Sequence, residues 1–335
     1  MKTIFFEISA EDKIKYQNLL SGQDVEFYEE KLSTENTEKA VDADILCVFI
    51  NSEVKKDIID ALPNLKYIVT RSTGYDHIDG AHAKEKNIGV SNVPSYGSDT
   101  VAEFTFGLIL NLSRKIFQAS HQVKEGGNFN LSELKGFDLC GKTLGVVGTG
   151  RIGKNVIRMA KGFNMNILAY DLFPNTDYAK SESVKYVTLD ELLSGSDIVT
   201  LHAPYTKDNH HMINKDNIMK MKKGAYIVNT ARGELVDTEA ILLGIQNGII
   251  AGAGLDVLEG ERELKEEFHL KYSDAQNNIN YKTLLENHVL INIPEVIITP
   301  HVAFYTEEAE NEIINTTIEN INSFQQGQIK NTIKI

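Results

Sequence analysis

An apolar strand, Leu144-Gly145-Val146-Val147, runs without a break into Gly148-Thr149-Gly150-Arg151-Ile152-Gly153, and a helix-periodic stretch follows. Few folds accommodate that junction. Gly148 permits a tight turn, Gly150 lets another molecule approach bare backbone, and Gly153 lets the helix pack closely on its strand. Ile152, Val156, Ile157, Met159, Ala160 and Phe163 are the apolar residues of the helix. The strand before and the helix after separate this pattern from an incidental glycine-rich turn. The junction predicts an α/β unit whose helix N-terminus is open toward anions.

The same rhythm fills the chain. Thr3–Phe6, Asp24–Phe27, Ile45–Ile50, Tyr67–Thr70 and Gly89–Ser91 read as strands, with helical stretches such as Lys56–Ala61 and Ile78–Glu85 between them. A second series reads Thr143–Val147, Asn166–Tyr170, Ile198–His202, Tyr226–Asn229, Ala251–Leu255 and Val296–Thr299. A helix is expected between the two series, to about Lys115. Thr100 and Glu103 have capping-box spacing, with Ser98 and Asp99 as further caps. Val101, Phe104, Leu108 and Leu112 give that helix an apolar face, and Gly107 reads as a close helix contact. Gly126–Asn130 reads as a loop or arm, Arg262–Asn280 as a solvated loop with some helix, and Glu307 to Phe324 as a closing helix.

At 335 residues the chain is long for one domain. The expectation is two Rossmann- or flavodoxin-like parallel-sheet domains with a cleft between them. The first is discontinuous, 1–97 plus 301–335, and the second is 98–300, because the closing helix returns after the second series is complete.

Net charge is −13, with no Lys/Arg-rich run. Nucleic acid and anionic membranes are poor partners for such a surface, so an anionic ligand must meet individually placed cations. No apolar run is long enough to span a membrane and no signal core opens the chain. Cys47 and Cys140 lack CxxC spacing and read as buried or inert thiols in a reducing cytoplasm. No metal site is expected.

Asp171 ends the strand after the glycine turn, 23 positions beyond Gly148. A carboxylate there accepts ribose hydroxyls and repels a 2′-phosphate, and Leu172, Phe173 and Pro174 bring no cation to welcome one. The junction therefore reads as an NAD site.

Three further residues lie near strand ends, where ligands bind in open α/β sheets. Arg232 follows the strand Tyr226–Asn229, and its planar fork suits a carboxylate. His301 follows Val296–Thr299 and is placed to move a proton. Glu261 follows Gly254-Leu255-Asp256-Val257 and can orient the histidine and favour its cationic form. Singly, each has a plainer reading: a surface arginine, a loop histidine, a member of the acidic run from Glu259 to Glu267, with Asp256 a turn former. Together they answer the demands of hydride transfer to a keto acid.

Gly148–Gly153, Asn229-Thr230-Ala231-Arg232-Gly233-Glu234-Leu235-Val236-Asp237, Gly254-Leu255-Asp256-Val257 and Thr299-Pro300-His301 give the chain a resemblance, over nearly its whole length, to the D-isomer-specific 2-hydroxyacid dehydrogenases. The resemblance implies a discontinuous substrate domain, an NAD domain, a homodimer, and Arg232, Glu261 and His301 as the catalytic set. It assigns Thr100, Gly148, Gly150, Arg151, Ile152, Gly153, Asp171, His202, Pro204, Thr230, Ala231 and Asp256 to the cofactor, Asp256 toward the nicotinamide carboxamide. The run Phe304-Tyr305 after the histidine, and Tyr96, are similar to the D-lactate dehydrogenase branch, and the loop Arg71–Asp76, with Thr73 and Gly74, resembles the family's substrate-carboxylate loop. Two departures stand out: 45 positions separate Asp256 from His301, more than that branch leads one to expect, and Val302 replaces a usual threonine. The leading reading is pyruvate to D-lactate. Open beside it are reduction of hydroxypyruvate, glyoxylate or a branched-chain keto acid, and, in another class, an NAD-sensing binding or corepressor module.

Overall fold

The computed structural model describes residues 1–268 and 280–333. The chain divides into two compact units, Met1–Tyr96 with Tyr305–Ile335, and Gly97–Phe304.

In the first unit, β1 (Thr3–Phe5), β2 (Val25–Phe27), β3 (Ile45–Val48), β4 (Tyr67–Thr70) and β5 (Gly89–Ser91) form an all-parallel sheet in the order β2-β1-β3-β4-β5. The crossovers carry α1 (Ala10–Leu19), α2 (Lys56–Ala61) and α3 (Gly80–Glu85). β1, β3 and β4 are buried at every position, which explains their unbroken apolar runs. β3 was expected to reach Ile50 but stops at Val48. The Glu7 carboxylate takes the backbone N–H groups of Phe49 (3.1 Å) and Asn51 (3.0 Å), which draws the chain out of the ladder.

The second unit opens with α4 (Ser98–Arg114) and α5 (Ile116–Gly126), broken at Lys115 by a left-handed φ of 51°. The expected capping box is absent. Gly97 is the N-cap, so Thr100 already lies in the first turn and its hydroxyl is not placed to cap. Gly107 is exposed and a Cβ there would meet nothing within 4 Å, so it marks no helix contact. The sheet then comprises β6 (Thr143–Val147), β7 (Asn166–Tyr170), β8 (Lys185–Tyr186), β9 (Ile198–Leu201), β10 (Ala225–Asn229), β11 (Ile250–Leu255) and β12 (Val296–Ile298), all parallel, in the order β12-β11-β10-β9-β6-β7-β8. Its helices are α6 (Arg151–Gly162), α7 (Thr176–Ser181), α8 (Leu189–Gly195), α9 (Lys215–Ile218), α10 (Thr238–Gln246), α11 (Glu261–Phe268) and α12 (Tyr281–Ile291). The strand order reverses between β6 and β9, the switch point at which open α/β sheets take ligands. The stretch expected to be loop with some helix begins as α11, and 269–279 lie outside the described residues. Cys47 is buried as expected, but Cys140 is exposed, because it sits in the turn before β6 rather than in the strand.

The closing helix α13 (Glu307–Gln325) belongs to the first unit. Thr306 caps it, and three glutamates fill its first turn, where the helix dipole favours them. Its face buries Ile314 and Ile321 against Phe5, Tyr16 and Tyr67, each such side chain worth about 1.5–3 kcal/mol of burial. Phe324 stacks on Tyr67 of β4 at 4.2 Å. The chain returns to the first unit at Tyr305 rather than at His301. The reason is local: Asp256 holds residues 301–303 in the second unit by hydrogen bonds.

Candidate active site

The turn after β6 is shaped by its glycines. Gly148 has a φ of 89°, and a Cβ there would lie 2.6 Å from the backbone nitrogen of Ala203. A Cβ on Gly153 would lie 2.0 Å from Gly148 O. At Gly150 nothing stands within 4 Å, so the mouth of α6 is open on that side. Asp171, after β7, accepts Thr149 N–H (2.6 Å) and Thr149 Oγ1–H (2.9 Å) on Oδ2, and Phe173 N–H (2.9 Å) on Oδ1. The acid thereby ties the end of β7 to the glycine turn, a bond no spacing rule had announced. Leu172 and Phe173 beside it are exposed.

Other residues assigned to the cofactor lie at or just after strand ends of this sheet, or in the first turns of α4 and α6. His202 N–H donates to Val147 O (2.7 Å), so it borders the same turn. Its Nε2 pairs with Thr200 Oγ1 (2.9 Å), while Nδ1 is buried without a hydrogen-bond partner. Burial pushes the ring down to about 3, so it is neutral at physiological pH. Pro204 is exposed. Thr230 Oγ1 meets Thr105 Oγ1 of α4 at 2.9 Å, and Ala231 N–H donates to Asn229 Oδ1 at 3.0 Å. Thr100, Arg151 and Ile152 occupy the first turns of α4 and α6.

Arg232, Glu261 and His301 follow β10, β11 and β12, three adjacent strands. Asn229 Nδ2 holds the carbonyl of Arg232 (2.8 Å), which fixes the turn that presents the half-buried guanidinium. Asp256 organises the other two. Its carboxylate accepts Thr299 Oγ1–H (2.5 Å), Val302 N–H (3.0 Å) and Ala303 N–H (2.9 Å), and its carbonyl accepts His301 N–H (2.8 Å). Burial pushes the Asp256 carboxyl up, against these donors and the nearby histidine, which favour the anion. The far side of this loop is the left-handed His301 itself, φ 56°, a conformation that costs about 1–3 kcal/mol and persists because the loop fixes it. His301 Nδ1 then lies 3.2 Å from each oxygen of Glu261. Burial pushes the Glu261 carboxyl up, but the hydrogen bond and charge of His301, with Lys265 at 2.5 Å, outweigh it and hold the acid down at about 2. Phe304 meets the His301 ring edge-on at 6.5 Å. A half-buried carboxylate on one nitrogen of an imidazole is an arrangement that can hold or release a proton at the other.

Thr73, Gly74 and Tyr96 belong to the first unit. The loop after β4 is fixed from within: Thr73 Oγ1 donates to Val93 O (2.8 Å), Asn92 Nδ2 to Thr73 O (2.7 Å) and Ser72 Oγ to Gly74 O (2.6 Å). Arg71 is buried and donates to Phe6 O (3.0 Å) and Glu7 O (2.5 Å), so it pins the loop from beneath. Tyr96 is half-buried.

Residues 106–303 match the model of the D-isomer specific 2-hydroxyacid dehydrogenase NAD-binding domain. The chain belongs to the D-isomer-specific 2-hydroxyacid dehydrogenases. Among relatives of this dehydrogenase, an aromatic 2-oxoacid reductase of Clostridium sporogenes is 45% identical over 84% of this chain and 82% of its own length. The D-lactate dehydrogenase of Escherichia coli K12 is 35% identical over 98% of both chains. The crystal structure of D-lactate dehydrogenase from Aquifex aeolicus, complexed with NAD and lactic acid, superposes with a TM-score of 0.88 at 37% identity, covering 97% of this chain and 96% of that one. The protein is thus an NAD-dependent D-2-hydroxyacid dehydrogenase, and its glycine turn fits the cofactor: open at Gly150, closed at Gly148 and Gly153.

Proposed function

We propose that this dehydrogenase interconverts a small 2-keto acid and its D-2-hydroxy acid, with pyruvate and D-lactate as the leading pair. The observation that carries the chemistry is the His301–Glu261 pair at 3.2 Å. Pyruvate is supported by the aromatic pair Phe304-Tyr305 behind that histidine and by the likeness to an enzyme whose structure holds lactic acid.

Bound NADH would supply a hydride to the carbonyl carbon of the substrate. Arg232 holds the substrate carboxylate through two parallel N–H bonds and draws charge from the carbonyl oxygen. His301 gives that oxygen a proton from Nε2 and takes it back in the reverse direction. Glu261 orients the ring through Nδ1. Thr73, Gly74, Tyr96 and Phe304 are assigned to substrate. The Gly148–Gly153 turn, Asp171, Thr100, His202, Pro204, Thr230, Ala231 and Asp256 are assigned to the dinucleotide. Asp256 already accepts three donors on its carboxylate, which leaves it about one more lone pair to offer.

A bulkier 2-keto acid is the second reading, favoured by the 45% identity to an aromatic 2-oxoacid reductase. NADH oxidation with pyruvate, phenylpyruvate, 4-methyl-2-oxopentanoate, hydroxypyruvate and glyoxylate tests both. The highest kcat/KM on pyruvate supports the first reading, and on phenylpyruvate the second. No turnover with any of them rejects both readings of the substrate.

A homodimer is part of the same proposal. Ile116, Phe117 and Val123 on α5, with Phe129 and Leu131 beyond it, are exposed apolar side chains of the kind that partner surfaces cover. A monomer by light scattering at working concentration would reject it. A cytoplasmic location is also proposed; among the described residues no helix is long and apolar enough to cross a membrane.

A further inference from the structure

Two histidines and a glutamate, from sequence positions 48 apart, meet in the second unit. The segment after β9 bends at His211, which takes the left-handed region with a φ of 51°. His211 N–H donates to Glu234 O at 2.9 Å, and Ile213 bridges Val236 just beyond. Glu259 comes from the loop after β11. Its carbonyl accepts Asn287 Nδ2–H at 2.8 Å, and Asn287 is fully buried on α12. Both sides of the cluster are therefore held by main-chain hydrogen bonds to other elements.

On that frame His211 Nε2 lies 2.8 Å from one oxygen of Glu259, and His210 Nε2 lies 3.9 Å from the other. The two imidazoles stack with centroids 3.9 Å apart. One ligand atom from each residue lies within 4.8 Å of the other two.

We propose that His210, His211 and Glu259 form a binding site for a divalent transition metal ion of the Zn2+ and Cu2+ class. Zinc bonds nitrogen and oxygen at about 2.0–2.2 Å, so ligand atoms around a tetrahedral ion stand roughly 3.3 Å apart. The two histidine–glutamate separations bracket that value. Two imidazole nitrogens with one carboxylate favour borderline ions over Mg2+ and Ca2+, which prefer oxygen throughout. His210 is exposed, so an ion has a way in and a fourth position for water. Binding releases any proton the imidazole nitrogens carry and replaces a His–Glu hydrogen bond by metal bonds. It would join the segment after β9 to the loop after β11.

The test is calorimetric titration of Zn2+ into the full-length, metal-stripped protein. Binding of one equivalent is expected, weakened at least ~10-fold by His211→Gln and by Glu259→Gln and left intact by His121→Gln on α5. Cu2+ bound to wild type should show nitrogen hyperfine structure from two imidazoles, and from one in His210→Gln. Because Glu259 also contributes to the fold, unfolding midpoints without metal are recorded for every variant, and His210→Gln, at an exposed position, supplies the test if Glu259→Gln unfolds. Absence of one-equivalent binding overturns the proposal, as does binding that none of His210→Gln, His211→Gln and Glu259→Gln weakens. None of these readouts depends on turnover, so their failure leaves the proposed reaction standing.

Discussion

Glu261 places both carboxylate oxygens 3.2 Å from Nδ1 of His301, and Lys265 reaches one of them as well. An acid held down at about 2 keeps its charge throughout the working range. Reduction draws a proton from the ring and oxidation returns one to it. Glu261→Gln keeps the shape and removes the charge that faces Nδ1, so hydride transfer should slow by about 10-fold or more in both directions. Stopped-flow hydride-transfer rates decide it, and unchanged rates would reduce Glu261 to a structural residue. The stability contributed by this acid depends on pH. It is present above the ordinary carboxylate value of 4.5 and is lost as pH falls toward 2.

Arg232→Lys retains a cation and loses the fork. The kcat/KM for pyruvate is expected to fall ~10²-fold, about 2.7 kcal/mol of transition-state stabilisation. A loss under ~3-fold would show that the guanidinium does not clamp the substrate.

Asp171→Asn should erode the preference for NADH over NADPH by about 10-fold or more, since the amide no longer repels a 2′-phosphate. The variant should also melt earlier, because Asp171 receives two hydrogen bonds from Thr149, each worth about 1 kcal/mol or somewhat more with a charged acceptor. Equal cofactor ratios in wild type and variant would dismiss the acid from cofactor choice and leave it the structural tie alone.

Gly148→Ala and Gly150→Ala separate folding from binding. The first forces a Cβ to 2.6 Å from Ala203 N at a positive φ and should cost about 1–3 kcal/mol of stability. The second meets nothing within 4 Å, so stability should change by under about 0.5 kcal/mol while NADH binding weakens. Calorimetry and NADH fluorescence titration check the pair. A Gly150→Ala protein with unchanged affinity would place the pyrophosphate elsewhere.

The central strands were legible because a parallel sheet buried on both faces writes unbroken apolar runs. β8 was not: two residues, Lys185 and Tyr186, at a sheet edge leave no pattern. Thr100 misled because capping-box spacing recurs by chance, and only the path of the chain makes Gly97 the cap. Glu261 and His301 were legible as strand-end residues, and the structure brings them together. The organising part of Asp256 was missed, since its three donors come from residues more than forty positions away. The cluster at His210, His211 and Glu259 was missed for the same reason, although the adjacent histidines were a visible signal.

The return of α13 to the first sheet bears on how the chain is made. Gln23 donates to Asn322 across 299 positions, and Ser91 of β5 bridges Thr332. A chain leaving the ribosome therefore completes Gly97–Phe304 before its first-made residues can close their own core. The apolar surface of β4 that Phe324 covers stays open until α13 has been made. The first strands synthesised must wait for a helix more than two hundred residues away to close their core.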